Sequence, residues 1–191
     1  MTAEVSKTLD ALRARGLLLA VGSSSKNAKF ILERIGLGDY FDAVSSWLEQ
    51  RYGWRPKDEW YVVTPGVVFA LAAAVRAFTE PGDRVLVLDN GLYGKGFADF
   101  VKLYGGEPVL YTVDSHAPIA AEPLRAFLKK DSAFKYATLV HCDTPSGMLN
   151  DIHTLCPILK EYGILTVVDS VSGMFGNPVD VRKAKIDILC G

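Results

Sequence analysis

Five short segments concentrate the residue types that do chemistry. They are Gly22-Ser23-Ser24-Ser25, Thr64-Pro65-Gly66, Asp89-Asn90-Gly91, Asp143-Thr144-Pro145-Ser146-Gly147 and Asp169-Ser170-Val171-Ser172. Taken singly, each reads as ordinary loop chemistry, with Gly and Pro for turns and Ser and Asp for helix caps. Gathered on one edge of a sheet, they would form an anion-tolerant pocket, because helix N-termini offer free N–H groups and positive dipole ends. The three histidines, His116, His141 and His153, do not have metal-binding spacing. His141 ends an apolar run and reads as a core histidine beside the pocket. Cys142 and Cys156 read as small core residues rather than nucleophiles.

The elements that must position these segments alternate between strand and helix. Strand-length apolar runs fall at Leu17–Val21, Trp60–Thr64, Val85–Asp89, Val109–Val113, Ala137–Cys142, Leu165–Asp169 and Ile186–Cys190. Helices are expected between them, including Asn27–Ile35, Ala43–Tyr52, Val67–Phe78, Gly94–Tyr104, Glu122–Lys130 and Ile152–Tyr162. The helix Val67–Phe78 is apolar nearly all round, which predicts deep burial. The strand runs are continuous in Val, Leu and Ile, the mark of strands buried on both faces. The expected fold is a single α/β domain over residues 1–191: a doubly wound, mostly parallel sheet of seven strands with helices on both faces, three-layered and Rossmann-like.

Composition narrows the function classes. Nearly half of the 191 residues are apolar, enough to bury a core, and the net charge of −1 is spread along the chain. That argues against nucleic acid or a membrane surface as a partner. No apolar run reaches the ~18 residues of a membrane span, and Met1–Asp10 has no signal-peptide core. Three scattered cysteines predict neither a disulfide framework nor a zinc site, which fits a cytoplasmic setting.

Some of these segments resemble known families. From about Ser46 to Gly191 the chain resembles fold-type I pyridoxal-phosphate enzymes. Tyr52-Gly53-Trp54 and Trp60 to Val68 look like the cystathionine β-lyase group, over about 46–87. From Leu88-Asp89-Asn90-Gly91-Leu92-Tyr93-Gly94-Lys95 onward, about 88–191, the chain looks like class V aminotransferases. His141 to Asn150 and Thr166 to Ser172 are the most specific matches to that group. The resemblance implies that Gly66 and Val67 give backbone N–H groups to the cofactor phosphate. It implies that Tyr93 stacks on the pyridine ring and that Thr144 bonds near the ring hydroxyl. Asp169 would pair with the ring nitrogen, and Val171 would pack beneath the ring. Residues 9–44, with Ala20 to Asn27 and Gly38 to Val44, look instead like haloacid dehalogenase-type phosphatases of the β-phosphoglucomutase branch. There Ser23, Ser24 and Asn27 would form a phosphate or sulfate site. That family's catalytic carboxylates and lysine have no counterpart in this sequence.

The expectation from these resemblances is a recombined or designed chimera without evolved catalysis, a truncated natural fusion being the competing reading. In fold-type I enzymes the cofactor-bearing lysine lies just beyond the strand that here ends at Gly191, so no catalytic residue is expected. No cofactor would be required, and pyridoxal phosphate would bind weakly in a vestigial pocket. The alternatives are an aminotransferase-like protein or fragment that binds the cofactor non-covalently, and a phosphate-binding module. Former interface around Trp47, Trp54 and Trp60 would drive self-association. The expected strand order is Trp60–Thr64, Leu17–Val21, Ile186–Cys190, Leu165–Asp169, Ala137–Cys142, Val85–Asp89, Val109–Val113.

Overall fold

The computed structural model describes residues 40–191 except 58, 59, 63 and 65. The chain divides into two compact units, Met1–Ala70 and Leu71–Gly191. In the first, helix α1 (Tyr40–Tyr52) is followed by an irregular stretch. Ser45 Oγ meets the Tyr61 hydroxyl at 2.9 Å, Arg55 pairs with Asp42, and the Trp54 and Trp60 rings stack with centroids 6.3 Å apart. Helix α2 (Val67–Phe78) begins in this unit and ends in the second.

The second unit is built on one five-stranded parallel sheet. Its elements run β1 (Arg84–Asp89), α3 (Leu92–Leu103), β2 (Glu107–Thr112), α4 (Ala121–Lys130), β3 (Tyr136–Val140), β4 (Cys142–Asp143) and β5 (Met148–Leu149). Then come α5 (Ile152–Glu161), β6 (Leu165–Asp169), α6 (Val181–Ala184) and β7 (Ile188–Cys190). The sheet order is β2-β1-β3-β6-β7 and every pairing is parallel. This is the order expected for those five strands. β1, β3 and β6 are buried on both faces, which is why they read as unbroken Val, Leu and Ile runs.

Alternation along each strand divides the core. Leu86, Leu88 and Leu139 face a cluster filled by Leu124 and Leu128 of α4 and Leu155, Ile158 and Leu159 of α5. Val85 and Val87 point to the opposite face, where α3 packs on β1 and buries Phe97, Ala98 and Val101. Helix α5 starts where it does because the Asp151 side chain accepts the N–H groups of His153 and Thr154.

Three expectations need correction. The sheet has five strands among the described residues, not seven. Leu17–Val21 lies outside those residues, and Trp60, Tyr61, Val62 and Thr64 form no strand. Aromatic and β-branched residues favour a strand only where a neighbour completes the ladder, and Val62 is 81 % exposed. The Ala137–Cys142 run is also split: β3 ends at Val140, and Cys142–Asp143 turns away to pair antiparallel with Met148–Leu149. Finally, α2 is not buried all round. Leu71, Ala74 and Val75 are buried, while Val68 and Phe69 are exposed.

One core group is unsatisfied. Thr138, in the middle of β3, is fully buried and its hydroxyl has no hydrogen-bond partner. Burying a lone hydroxyl costs free energy that an apolar isostere avoids. Thr138→Val is therefore expected to stabilise the protein by about 1 kcal/mol, raising the urea midpoint with an unchanged slope. A lower midpoint would show that the hydroxyl is satisfied after all.

Candidate functional site

The chain leaves β1 toward β2 on one side and returns to β3 on the other, so β1 and β3 flank a topological switch point. Crevices for ligands open at the carboxyl ends of strands at such points. The residues that follow β1, β3 and β6 meet there.

Asn90 follows β1, and its carboxamide is buried. It exchanges two hydrogen bonds with the carboxamide of Asn150: Asn90 Nδ2 donates to Asn150 Oδ1 at 2.9 Å, and Asn150 Nδ2 donates to Asn90 Oδ1 at 3.1 Å. The spare positions are used as well. Asn150 Nδ2 donates to the Val140 carbonyl at 2.7 Å, and Asn150 Oδ1 accepts the Ile119 N–H at 3.0 Å. This closed set ties the ends of β1 and β3 to the loop after β2.

Between Val140 and Asn150 the chain makes the β4–β5 hairpin. Asp143 is 0 % exposed. Its Oδ1 accepts the Tyr93 N–H at 3.1 Å, and its Oδ2 accepts the Ser146 hydroxyl at 2.8 Å and the Ser146 N–H at 3.3 Å. Gly91 makes room for it. A Cβ at position 91 would lie 2.4 Å from Asp143 Cγ, although the φ of 176° is one that any residue adopts.

Asp169 ends β6 and is 8 % exposed. Oδ1 accepts the Val171 N–H at 3.0 Å; among the described residues no donor reaches Oδ2 and no cation pairs with the carboxylate. Burial pushes this carboxyl above the ordinary carboxylate range, the Val171 N–H opposes the shift, and the charge of Asp143 adds to it. Beside it, His141 Nδ1 meets Ser170 Oγ at 2.9 Å, and burial holds the imidazole below its ordinary value. Gly173 is small because His141 is there: a Cβ would lie 2.2 Å from Nδ1. Burial pushes the Cys156 and Cys190 thiols up to about 12, so neither is a thiolate nucleophile near neutral pH.

Of the residues assigned by resemblance, Asp169 is the last residue of β6, and Tyr93, Thr144 and Val171 follow the carboxyl ends of strands in the second unit. Tyr93 is half-exposed in the first turn of α3. Thr144 is exposed in the hairpin turn, and its hydroxyl hydrogen-bonds that of Ser172. Val171 is exposed just past β6. Gly66 and Val67 begin α2 in the first unit, where the Gly66 carbonyl accepts the Ala70 N–H at 3.1 Å. Ser23, Ser24 and Asn27 lie outside the described residues. Asp143 and the Asn90–Asn150 pair were missed as site-building residues. Each read locally as turn or cap chemistry, and nothing in the linear sequence links position 90 to position 150. Among the described residues there is no metal-binding cluster, and no helix is long and apolar enough to cross a membrane.

The family model for aminotransferase class V matches residues 62–190, more than half of the chain. This chain belongs to the class V aminotransferases. A 2-aminoethylphosphonate–pyruvate transaminase of Polaromonas sp. is 32 % identical over 121 residues, 63 % of this chain and 32 % of that protein. An uncharacterised aminotransferase of Methanocaldococcus jannaschii is 32 % identical over 132 residues, 69 % of this chain and 34 % of that protein. Among solved structures, the pyridoxamine–pyruvate aminotransferase of Mesorhizobium loti superposes with a TM-score of 0.59 at 30 % identity, covering 64 % of this chain and 31 % of that one. The alanine–glyoxylate aminotransferase of Nostoc sp. gives 0.60 at 25 % identity, covering 64 % and 32 %. The chain thus spans about a third of the length of the curated relatives it matches.

These matches correct the sequence reading. The class V match runs through residue 87, where a change of family was expected, and the chimera and the phosphatase-like segment at 9–44 draw no support from it. The expectation that no cofactor is required is overturned, because the relatives are pyridoxal-phosphate-dependent aminotransferases and the cofactor comes with the family. The described residues fit that group. Asp169 Oδ2 has no protein donor among them and is not sealed from solvent, and a protonated pyridine nitrogen is a cation that could pair with it.

Two outcomes are expected. Asn150→Asp replaces a donor by an acceptor against both Val140 and Asn90, and should cost about 2–4 kcal/mol in urea unfolding. A loss under 1 kcal/mol would mean that the amide pair is not a constraint. For Asp169 the native carboxyl titrates above its unfolded value of 3.8. Its native state therefore holds the proton more tightly. The carboxyl favours folding most below that value, and the contribution is lost as pH rises through the native pKa. Asp169→Asn should remove this fall, so the stability difference between variant and wild type should grow with pH before levelling off. A pH-independent difference would contradict the burial argument.

Proposed function

We propose that residues 62–190 serve a pyridoxal-phosphate-dependent aminotransferase, with the carboxyl ends of β1, β3 and β6 holding the cofactor ring. The single observation that carries this reading is Asp169: largely buried, with no cation and no donor to one oxygen among the described residues, at the end of a strand whose sequence resembles the family's. Bound pyridoxal phosphate supplies an electron sink for the charge that develops at the carbon bearing the amino group.

The protein's part is to bind and orient that ring. Asp169 would hold a proton at the ring nitrogen, and the low polarity around it strengthens the pairing. The Tyr93 ring, half-exposed at the start of α3, is free to stack on one face. Val171 would bound the other face, and the Thr144 hydroxyl, held by Ser172, would reach the ring's oxygen substituent. His141 and Ser170 brace the turn after β6 and so set the direction of the Asp169 carboxylate. The names of the relatives pair an amine donor with pyruvate or glyoxylate. A small 2-oxo acid is accordingly the acceptor proposed for this chain.

The test is calorimetric titration of the chain with pyridoxal phosphate. Saturable binding is expected, weakened about ten- to a hundredfold in Asp169→Asn, as expected for loss of a charged hydrogen bond. Equal affinity of wild type and Asp169→Asn would exclude this use of the pocket, as would no binding by a folded wild type.

A further inference from the structure

The roles above leave the most buried charge in the second unit without a function. Asp143 has no cation partner among the described residues. Burial of such a charge is offset only by the donors that reach it. Those donors come from two loops. One oxygen takes the Tyr93 N–H, in the first turn of α3; the other takes the N–H and hydroxyl of Ser146, in the turn that carries Thr144. Helix α3 has no cap of its own, because the residue at its N-cap is Gly91 and no local side chain bonds its free N–H groups. The absence of a side chain at 91 is also what lets the Asp143 carboxylate approach, since a Cβ there would stand 2.4 Å from Cγ. Among the described residues, the Asp143 carboxylate is the only side chain bonded to the Tyr93 amide.

We infer that Asp143 is a positioning residue for the cofactor ring, its carboxylate clamping the Tyr93 turn to the Thr144 turn so that the two ring contacts are set as one unit. This rests on the reading that Tyr93, Thr144 and Asp169 receive pyridoxal phosphate. Both Asp143 oxygens are taken up by Tyr93 and Ser146. Asp143 acts through the backbone of Tyr93 and through the hairpin turn. Its loss therefore releases the stacking ring without removing it.

The experiment is a double-mutant cycle read by calorimetric titration with pyridoxal phosphate, with amide hydrogen exchange at Tyr93 as a second readout. Asp143→Ala and Tyr93→Ala should each weaken binding about tenfold, the size of a lost aromatic stacking contact. The double variant should be no weaker than the worse single variant, because both remove the same contact. Asp143→Asn keeps an acceptor for the Tyr93 N–H and should recover most of the affinity. Exchange at the Tyr93 amide should be faster in Asp143→Ala than in Asp143→Asn. If Asp143→Ala does not fold, Ser146→Ala, which loosens the carboxylate from the other side, carries the same cycle. Additive losses, unchanged affinity in the alanine variant, or an asparagine variant as weak as alanine would overturn the positioning role. Wild-type binding that depends on Asp169 would leave the functional reading standing in each of those cases. A wild type that does not bind, or binds regardless of Asp169, overturns both.

Discussion

The carboxamides of Asn90 and Asn150 have to satisfy each other, because both are buried beyond the reach of solvent. A buried amide left with an empty donor or acceptor costs on the order of 1–3 kcal/mol, so the two side chains hold the segments that carry them at a fixed separation. One segment is the exit of β1 and the other is the far end of the β4–β5 hairpin. The remaining amide positions reach the Val140 and Ala117 carbonyls and the Ile119 N–H. Four stretches of chain are thereby fixed around the gap between β1 and β3. The hairpin stands over the sheet in one register, and Asp143 and Thr144 stand where the hairpin puts them.

Around this fixed frame the electrostatics are one-sided. Asp143 and Asp169 are buried at adjacent strand ends with no cation paired to either among the described residues. The first is stabilised by donors from its own protein. The second keeps an oxygen free and is driven toward its neutral form by burial and by the first. Close approach is permitted by glycine: Gly91 leaves room for the Asp143 carboxylate and Gly173 for the His141 imidazole.

The five-stranded sheet was legible because its signal is local. Runs such as Val85–Leu88 and Thr166–Val168 are apolar at every position, and only a strand covered on both faces asks for that. The polar ends were legible for the same reason, and motif resemblance assigned Tyr93, Thr144 and Asp169 as ring contacts. What could not be read depends on partners distant in the chain. The Ala137–Cys142 run gives no sign that it breaks at His141, because the break is set by the distant Asn150, whose backbone N–H donates to the His141 carbonyl. Helix α2 was misjudged because apolar content says that a surface wants covering, and not which residues are covered. Trp60, Tyr61, Val62 and Thr64 have strand composition but join no ladder among the described residues. Asp143 looked like one more turn aspartate until its oxygens were seen to divide between two loops.

The close approach of Asp143 to Gly91 carries a consequence for how this sequence can change. The two positions are 52 residues apart in numbering but share one volume. A larger residue at 91 has nowhere to go while the carboxylate is in place. A smaller residue at 143 strips the helix of its cap before anything at 91 can supply a new one. Neither single step is neutral, and the substitution that would follow is acceptable only after the other has been made. Drift at this corner of the fold is therefore held back by the order in which changes would have to occur. Relatives that differ at one of the two positions are expected to differ at both.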